Sequence, residues 1–142
     1  MSVLRVDLGD WVSLAPALEA IRREVFIVEQ QVPEEMEWDA DDATSVHALA
    51  LLDGHPVGCG RLLPDGHIGR MAVRAPFRSS GVGRALLQAL LAEARRRGMR
   101  DVVLHAQTHA LRFYEAQGFV AEGPEFDEAG IPHRRMSQAL VS

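Results

Sequence analysis

A chain of 142 residues, 47% of them hydrophobic, carries enough apolar surface for the core of one globular domain, with no linker-like stretch to divide it. Its 15 Lys and Arg against 20 Asp and Glu, a net charge of -5, exclude a general basic surface for nucleic acid or an anionic membrane. The lone Cys59 excludes an intrachain disulfide framework and a cysteine-built zinc site. With no signal-peptide pattern and no apolar run near the roughly 20 residues of a bilayer span, one unprocessed cytoplasmic domain over residues 1–142 is expected.

Residues 2–8 alternate Val3, Arg5 and Asp7 with Leu4, Val6 and Leu8, the period of a half-buried strand. A helix follows, with the stripe Leu18, Ile21, Val25 and Val28, Ser13 as N-cap, Pro16 near the first turn and an end near Glu29. Residues 30–42 hold Glu34, Glu35, Glu37, Asp39, Asp41 and Asp42 around Met36 and Trp38 with neither helical nor strand period, and read as an acidic loop. Residues 45–52, 55–63 and 67–73 are strand-like and separated by Asp53-Gly54 and Asp65-Gly66, so an antiparallel meander is expected. From Gly81 the stripe Val82, Leu86, Leu87, Leu90, Leu91 and Ala94 marks a helix that closes on Arg95, Arg96, Arg97 and Gly98. Residues 101–106 contain the unbroken run Val102-Val103-Leu104, expected of a strand buried on both faces. A short helix over 109–117 stops at Gly118, and strands over 119–121 and 133–141 end the chain.

Val73-Arg74-Ala75-Pro76-Phe77-Arg78-Ser79-Ser80-Gly81-Val82-Gly83-Arg84 joins a strand to a helix through residues that leave the backbone bare. A helix start offers unpaired N–H groups and a positive dipole end, so this turn suits an anion, with Arg78 and Arg84 adding charge and Ser79 and Ser80 adding hydroxyls. It is not a P-loop, since Gly83 is followed by Arg84 and Ala85, nor a dinucleotide fingerprint, whose third Gly would fall at Leu86. By itself the segment fits a phosphate site and an ordinary helix start equally.

Arg78, Gly81 and Gly83 meet the pattern Arg or Gln, two residues, Gly, one residue, Gly or Ala, directly after a strand. Ala110-Leu111-Arg112-Phe113-Tyr114-Glu115-Ala116-Gln117-Gly118-Phe119 follows in order. Together they resemble the GNAT N-acetyltransferase superfamily over nearly the whole chain. Arg23-Glu24-Val25-Phe26-Ile27-Val28-Glu29-Gln30 with Asp39 and Asp42, and the ending Gly130-Ile131-Pro132-His133, are similar to its ElaA-like branch. The resemblance implies an α/β (α+β) fold: a mixed, mostly antiparallel sheet of about seven strands flanked by helices, with a splayed strand pair holding acetyl-CoA, and no metal. It also implies that the backbone of Met71, Ala72 and Val73 pairs with pantetheine. Arg78, Ser79, Ser80, Gly81, Val82, Gly83 and Arg84 would surround the pyrophosphate, and Tyr114 would stand near the sulfur. Gln107 occupies a position that is often Asn in the family, and its longer amide still donates and accepts.

Acetyl transfer to an amine needs a neutral nucleophile, a stabilised oxyanion and a proton for the departing thiolate. Tyr114, the only tyrosine, is assigned as general acid over the alternative of a packed aromatic. Glu29, Glu34, Glu35, His105 and His133 can all serve as base, and Glu29 and His133 are carried forward. The oxyanion would meet a backbone N–H near Met71 or Ala72. The acidic loop is either a solvated surface or an attractor for a cationic acceptor such as a polyamine, an aminoglycoside or a lysine-rich terminus. Met36 and Trp38 line that pocket or anchor the loop. Cys59 reads as a small strand residue, and the six histidines lack metal spacing. The expected activity is acetyl transfer from acetyl-CoA to a primary amine of a small molecule or peptide, by direct attack in a ternary complex. The alternatives are a non-catalytic acyl-CoA-binding or sensing domain and a transferase of longer acyl groups. No nucleic acid or membrane partner is expected, and a C-terminal edge strand could pair two copies into a homodimer.

Overall fold

Asp53 and Gly54 both take positive φ, 51° and 84°, as a type I′ turn requires. They fold β2 (Val46–Leu52) onto β3 (His55–Leu62) with Leu52 opposite His55. At the second turn the Gly66 N–H donates to Leu63 O at 3.0 Å and Gly66 sits at φ 97°, a turn closed by a glycine bulge that leads into β4 (His67–Val73). The computed structural model describes residues 2–140. The meander forms the middle of a seven-stranded sheet, completed by β1 (Leu4–Gly9), β5 (Asp101–Gln107), β6 (Val120–Glu128) and β7 (Ile131–Ala139), in the order β1-β2-β3-β4-β5-β7-β6. Every neighbouring pair is antiparallel except β4 and β5, which run parallel and meet only at His67–Val103 and Ile68–Leu104. Immediately beyond, Arg70 takes φ 52° where the β3–β4 register slips. A bulge bends the strand that carries it, and β4 leaves β5 there.

Helices cover both faces. The helix α1 (Trp11–Arg22) and its continuation bury Leu18, Ile21, Val25 and Phe26 against Leu49, Leu51, Cys59 and Ala72. The helix α3 (Val82–Arg96), numbered after a short α2 (Glu34–Glu37), packs Leu86, Leu87, Leu90 and Leu91 on Ala48, Ala50 and Val57. The period of two in β2 thus sends alternate residues into two cores. The last helix, α4 (Leu111–Ala116), precedes β6. No described helix is long and apolar enough to cross a membrane.

Several expected elements differ. The N-cap of α1 is Asp10, whose Oδ1 accepts from Ser13 N at 2.9 Å, so Pro16 lies inside the helix on its exposed side. The helical run does end at Glu29, but Arg23–Glu29 is a π-helix closed by Gln30 N to Val25 O at 3.1 Å. Its wider turn places Val25 and Phe26 inward and leaves Val28 69% exposed. Residues 30–42 are not an irregular loop: they contain α2 and a 3-10 turn, Ala40–Ala43. β5 is buried on one face only, through Val102, Leu104 and Ala106, because its other face opens where β4 diverges. β6 runs far past residue 121, the register shift between Glu122 and Phe126 having hidden its period. β7 begins two residues before His133, and the expected end at Val141 lies outside the described residues.

The acidic segment is held by arginines. Arg22, only 1% exposed, donates to Glu37 Oε2 and Asp42 Oδ1, each at 2.7 Å. Arg61 bonds Asp42 at 2.9 Å and Asp39 at 2.8 Å, and Arg70 reaches Glu37 at 3.0 Å and Asp39 at 3.2 Å. Trp38 lies under the Arg22 guanidinium at 5.0 Å, so it anchors the segment. Removing one member of a buried ion cluster strands the others without a partner. Arg22→Met is therefore expected to lower unfolding free energy by about 3–5 kcal/mol in urea denaturation, against roughly 0.5 kcal/mol or less for the exposed Arg5→Met.

Candidate functional site

Where β4 diverges from β5, the sheet opens into a groove of about 1360 Å³ walled by Met71, Ala72 and Val73 on one side and by Leu104, His105 and Gln107 on the other. The start of α3 stands at this groove. Gly81, its N-cap, has φ 88°, and a Cβ added there would meet nothing within 4 Å among the described residues. At Gly83 an added Cβ would lie 3.4 Å from Phe113 Cζ. Ala85 N–H, bonded to Gly81 O at 3.0 Å, is the first amide of the helix to bond back, so those of Val82, Gly83 and Arg84 have no intrahelical acceptor. The side chain of Val82 belongs to the core, and it brings only its main chain to the turn. Ser79 is exposed at φ 62°, while Ser80 Oγ donates to Phe77 O. An open cradle with free amides at the positive end of a 15-residue helix fits a diphosphate.

The guanidinium of Arg78 is already occupied. It donates to Glu29 Oε2 at 2.6 Å and Oε1 at 2.8 Å, and its Nε donates to Val73 O at 2.8 Å. Two residues expected in separate roles, phosphate binding and base, thus form one pair. The Arg78 hydrogen bonds hold the Glu29 carboxyl below its ordinary range, which weakens it as a proton acceptor. Gln107 is likewise engaged: its Nε2 donates to Gln30 Oε1 at 2.9 Å, and Gln30 Nε2 returns a contact at 3.4 Å, joining β5 to the end of the π-helix.

Tyr114 is 9% exposed, borders the groove, and meets Phe113 and Phe119 edge-on at 5.0 and 5.9 Å. Burial pushes its phenol up to about 12, so the hydroxyl holds its proton at neutral pH. His133 Nδ1 lies 2.6 Å from Ile131 O. A carbonyl only accepts, so Nδ1 carries a hydrogen, and it is Nε2 that bears the lone pair whenever the ring is neutral. That nitrogen is 3.7 Å from Glu128 Oε2, and Glu128 Oε1 is 3.0 Å from His105 Nδ1. Glu128 was missing from the sequence candidates, since the strand that presents it was expected to end at residue 121; the length of β6 is the signal that finds it. Glu34 pairs with Arg23 at 2.7 Å, and neither it nor Glu35 is among the described residues that line the groove. Burial lifts the Cys59 thiol to about 12, in keeping with an inert core residue.

A family profile described as an acetyltransferase (GNAT) domain matches residues 13–140. An uncharacterised N-acetyltransferase of Bacillus subtilis, YjcF, is 40% identical over 82% of this chain and 86% of its own. ElaA of Escherichia coli is 32% identical over 92% of this chain and 90% of its own. Its crystal structure superposes with a TM-score of 0.85 over 96% of this chain and 99% of that one, at 30% identity. A Bacillus anthracis chain solved in complex with acetyl coenzyme A shares the fold, at 23% identity and a TM-score of 0.58 over 68% of this chain and 62% of that one.

Because Tyr114 is the only tyrosine, its ionisation can be followed by ultraviolet absorbance alone. The folded protein is expected to titrate near 12 and the urea-unfolded chain near the ordinary value of about 10. The unfolded state loses its proton first, so stability should fall as pH rises from about 10 through about 12. A native midpoint near 10 would mean that the phenol stands in water.

Proposed function

The chain belongs to the GNAT acetyltransferase family, in its ElaA-like branch, and from that premise we propose that it moves an acetyl group from acetyl-CoA to a primary amine, by direct attack in a ternary complex. Membership makes it an acyltransferase. The observation that carries the donor assignment is the splay of β4 from β5 beside the bare turn at Gly81, a slot for an extended arm that ends at a diphosphate cradle.

Acetyl-CoA, when bound, supplies an acyl group activated as a thioester. The amides of Val82, Gly83 and Arg84, with the Ser79 and Ser80 hydroxyls, hold the diphosphate, and Arg78 exchanges Glu29 for a phosphate oxygen. The main chain of Met71, Ala72 and Val73 takes the place of a β-strand partner for the pantetheine arm, and Gln107 gives it an amide. An N–H near Met71 or Ala72 meets the developing oxyanion. Tyr114, kept protonated by burial, gives its Oη proton to the departing sulfur. His133 Nε2, the lone-pair nitrogen of a ring fixed by Ile131 O, accepts the proton that the acceptor must lose. Glu29, whose carboxyl is held low by Arg78, takes no part in the proton transfer. The acceptor is an amine of a small molecule or peptide, and the work is done in the cytoplasm.

The test is release of free CoA thiol from acetyl-CoA across a panel of amines. A binding or sensing domain would show affinity without turnover. Tyr114→Phe is expected to lower kcat by about 100-fold while the Kd for acetyl-CoA stays within about twofold. Undiminished turnover would remove Tyr114 from the chemistry.

A further inference from the structure

The acceptor end of the groove has a recognisable chemistry, and naming it rests on the acetyl-transfer reading above. In the acidic segment Glu34 is paired with Arg23, Glu37 with Arg22 and Arg70, Asp39 with Arg61 and Arg70, and Asp42 with Arg22 and Arg61. Four carboxylates neutralised in this way offer little to a polycation; of the remaining two, Glu35 is not among the described residues that line the groove, and Asp41 borders it singly. Glu128 differs. Among the described residues it forms no ion pair with Lys or Arg, and its partners are His105 Nδ1 at 3.0 Å and His133 Nε2 at 3.7 Å.

A carboxylate only accepts, so His105 Nδ1 donates to Oε1 and fixes the orientation of Glu128. Oε2 is left for a donor arriving in the groove, beside the His133 nitrogen whose lone pair is free. The His133 side chain is 6% exposed and its ring stacks on Phe126 at 6.0 Å and 22°, while His105 meets the same ring edge-on at 5.1 Å. Both imidazoles are therefore held in place. Pairing of Gln107 with His133 in β5–β7, and of Phe126 with His133 in β6–β7, puts these side chains on one face of the sheet. His105, Glu128 and His133 all border the groove, together with the apolar Phe26, Met36 and Ile131.

We propose that Glu128 is the acceptor-binding carboxylate and that the acceptor is a monoamine with a compact apolar or aromatic body, which enters as its ammonium ion. Glu128 Oε2 accepts one N–H of the ammonium. His133 Nε2 takes another proton: that N–H bond breaks, the Nε2–H bond forms, and the released electron pair stays on the amine nitrogen for attack. The resulting imidazolium lies beside Glu128 Oε2, which offsets its charge.

The test uses benzylamine, butylamine and spermidine, titrated calorimetrically into the full chain saturated with CoA. Benzylamine is expected to bind more tightly than spermidine. Glu128→Gln should weaken benzylamine about tenfold or more, the loss of one charge-assisted hydrogen bond, and Glu128→Asp should recover part of that loss. The Kd for CoA and the melting temperature should not move. In turnover, Glu128→Gln should raise the KM for benzylamine by a similar factor while leaving that for acetyl-CoA alone. The proposal is overturned if Glu128→Gln binds benzylamine as the parent does, if spermidine binds more tightly, or if neither monoamine binds. Benzylamine binding that depends on Glu128, without any release of CoA thiol, would uphold this amine site and refute the transferase reading instead.

Discussion

The two-residue ladder between β4 and β5 is the constraint on which the molecule turns. Main-chain N–H and C=O groups are obligatory hydrogen-bonding groups, so a strand that leaves its neighbour inside a sheet must find other partners on that edge. The bulge at Arg70 causes the departure, the parallel pairing at His67 and Ile68 limits it to one end, and antiparallel β7 keeps β5 rigid on its far side. The result is a gap with polar walls in the middle of an otherwise continuous sheet.

What covers the gap is held by charge as much as by apolar packing. The helix α1 and its π-helical tail lie on the sheet through Leu18, Ile21, Val25 and Phe26, but α2 and the turn after it bury few apolar side chains. Arg22, Arg61 and Arg70 come from one helix and two strands and converge on Glu37, Asp39 and Asp42. Arg70 is both the bulge residue and a member of this cluster, so the bend that opens the groove and the clamp that holds its cover share one side chain.

Local signals in the sequence were legible and remote ones were not. Asp53-Gly54 and Asp65-Gly66 placed the meander because turn chemistry acts within four residues, and Gly81 marked the helix start because only an unhindered backbone takes that φ without strain. The order of strands and major helices followed from periodicity. The arginine cluster stayed hidden because its pairs are 15 to 33 residues apart in the chain and no period links them. The six carboxylates of residues 34–42 therefore looked like a solvated surface. Glu128 and the Glu29–Arg78 pair were concealed for the same reason, since both depend on which distant segments lie side by side. The π-turn shifted the burial of a stripe whose spacing had pointed to Val28.

The pairing of Arg78 with Glu29 also bears on selectivity. In the diphosphate-binding role proposed for this turn, the Arg78 charge comes already matched by Glu29, so a lone inorganic phosphate gains less at Arg78, where it must displace a carboxylate already seated in two hydrogen bonds. A ligand that brings two phosphates together with a long arm makes up the difference through its other contacts. In that proposed role the internal ion pair would act as a threshold at Arg78, one that a simple anion meets without the help of an arm.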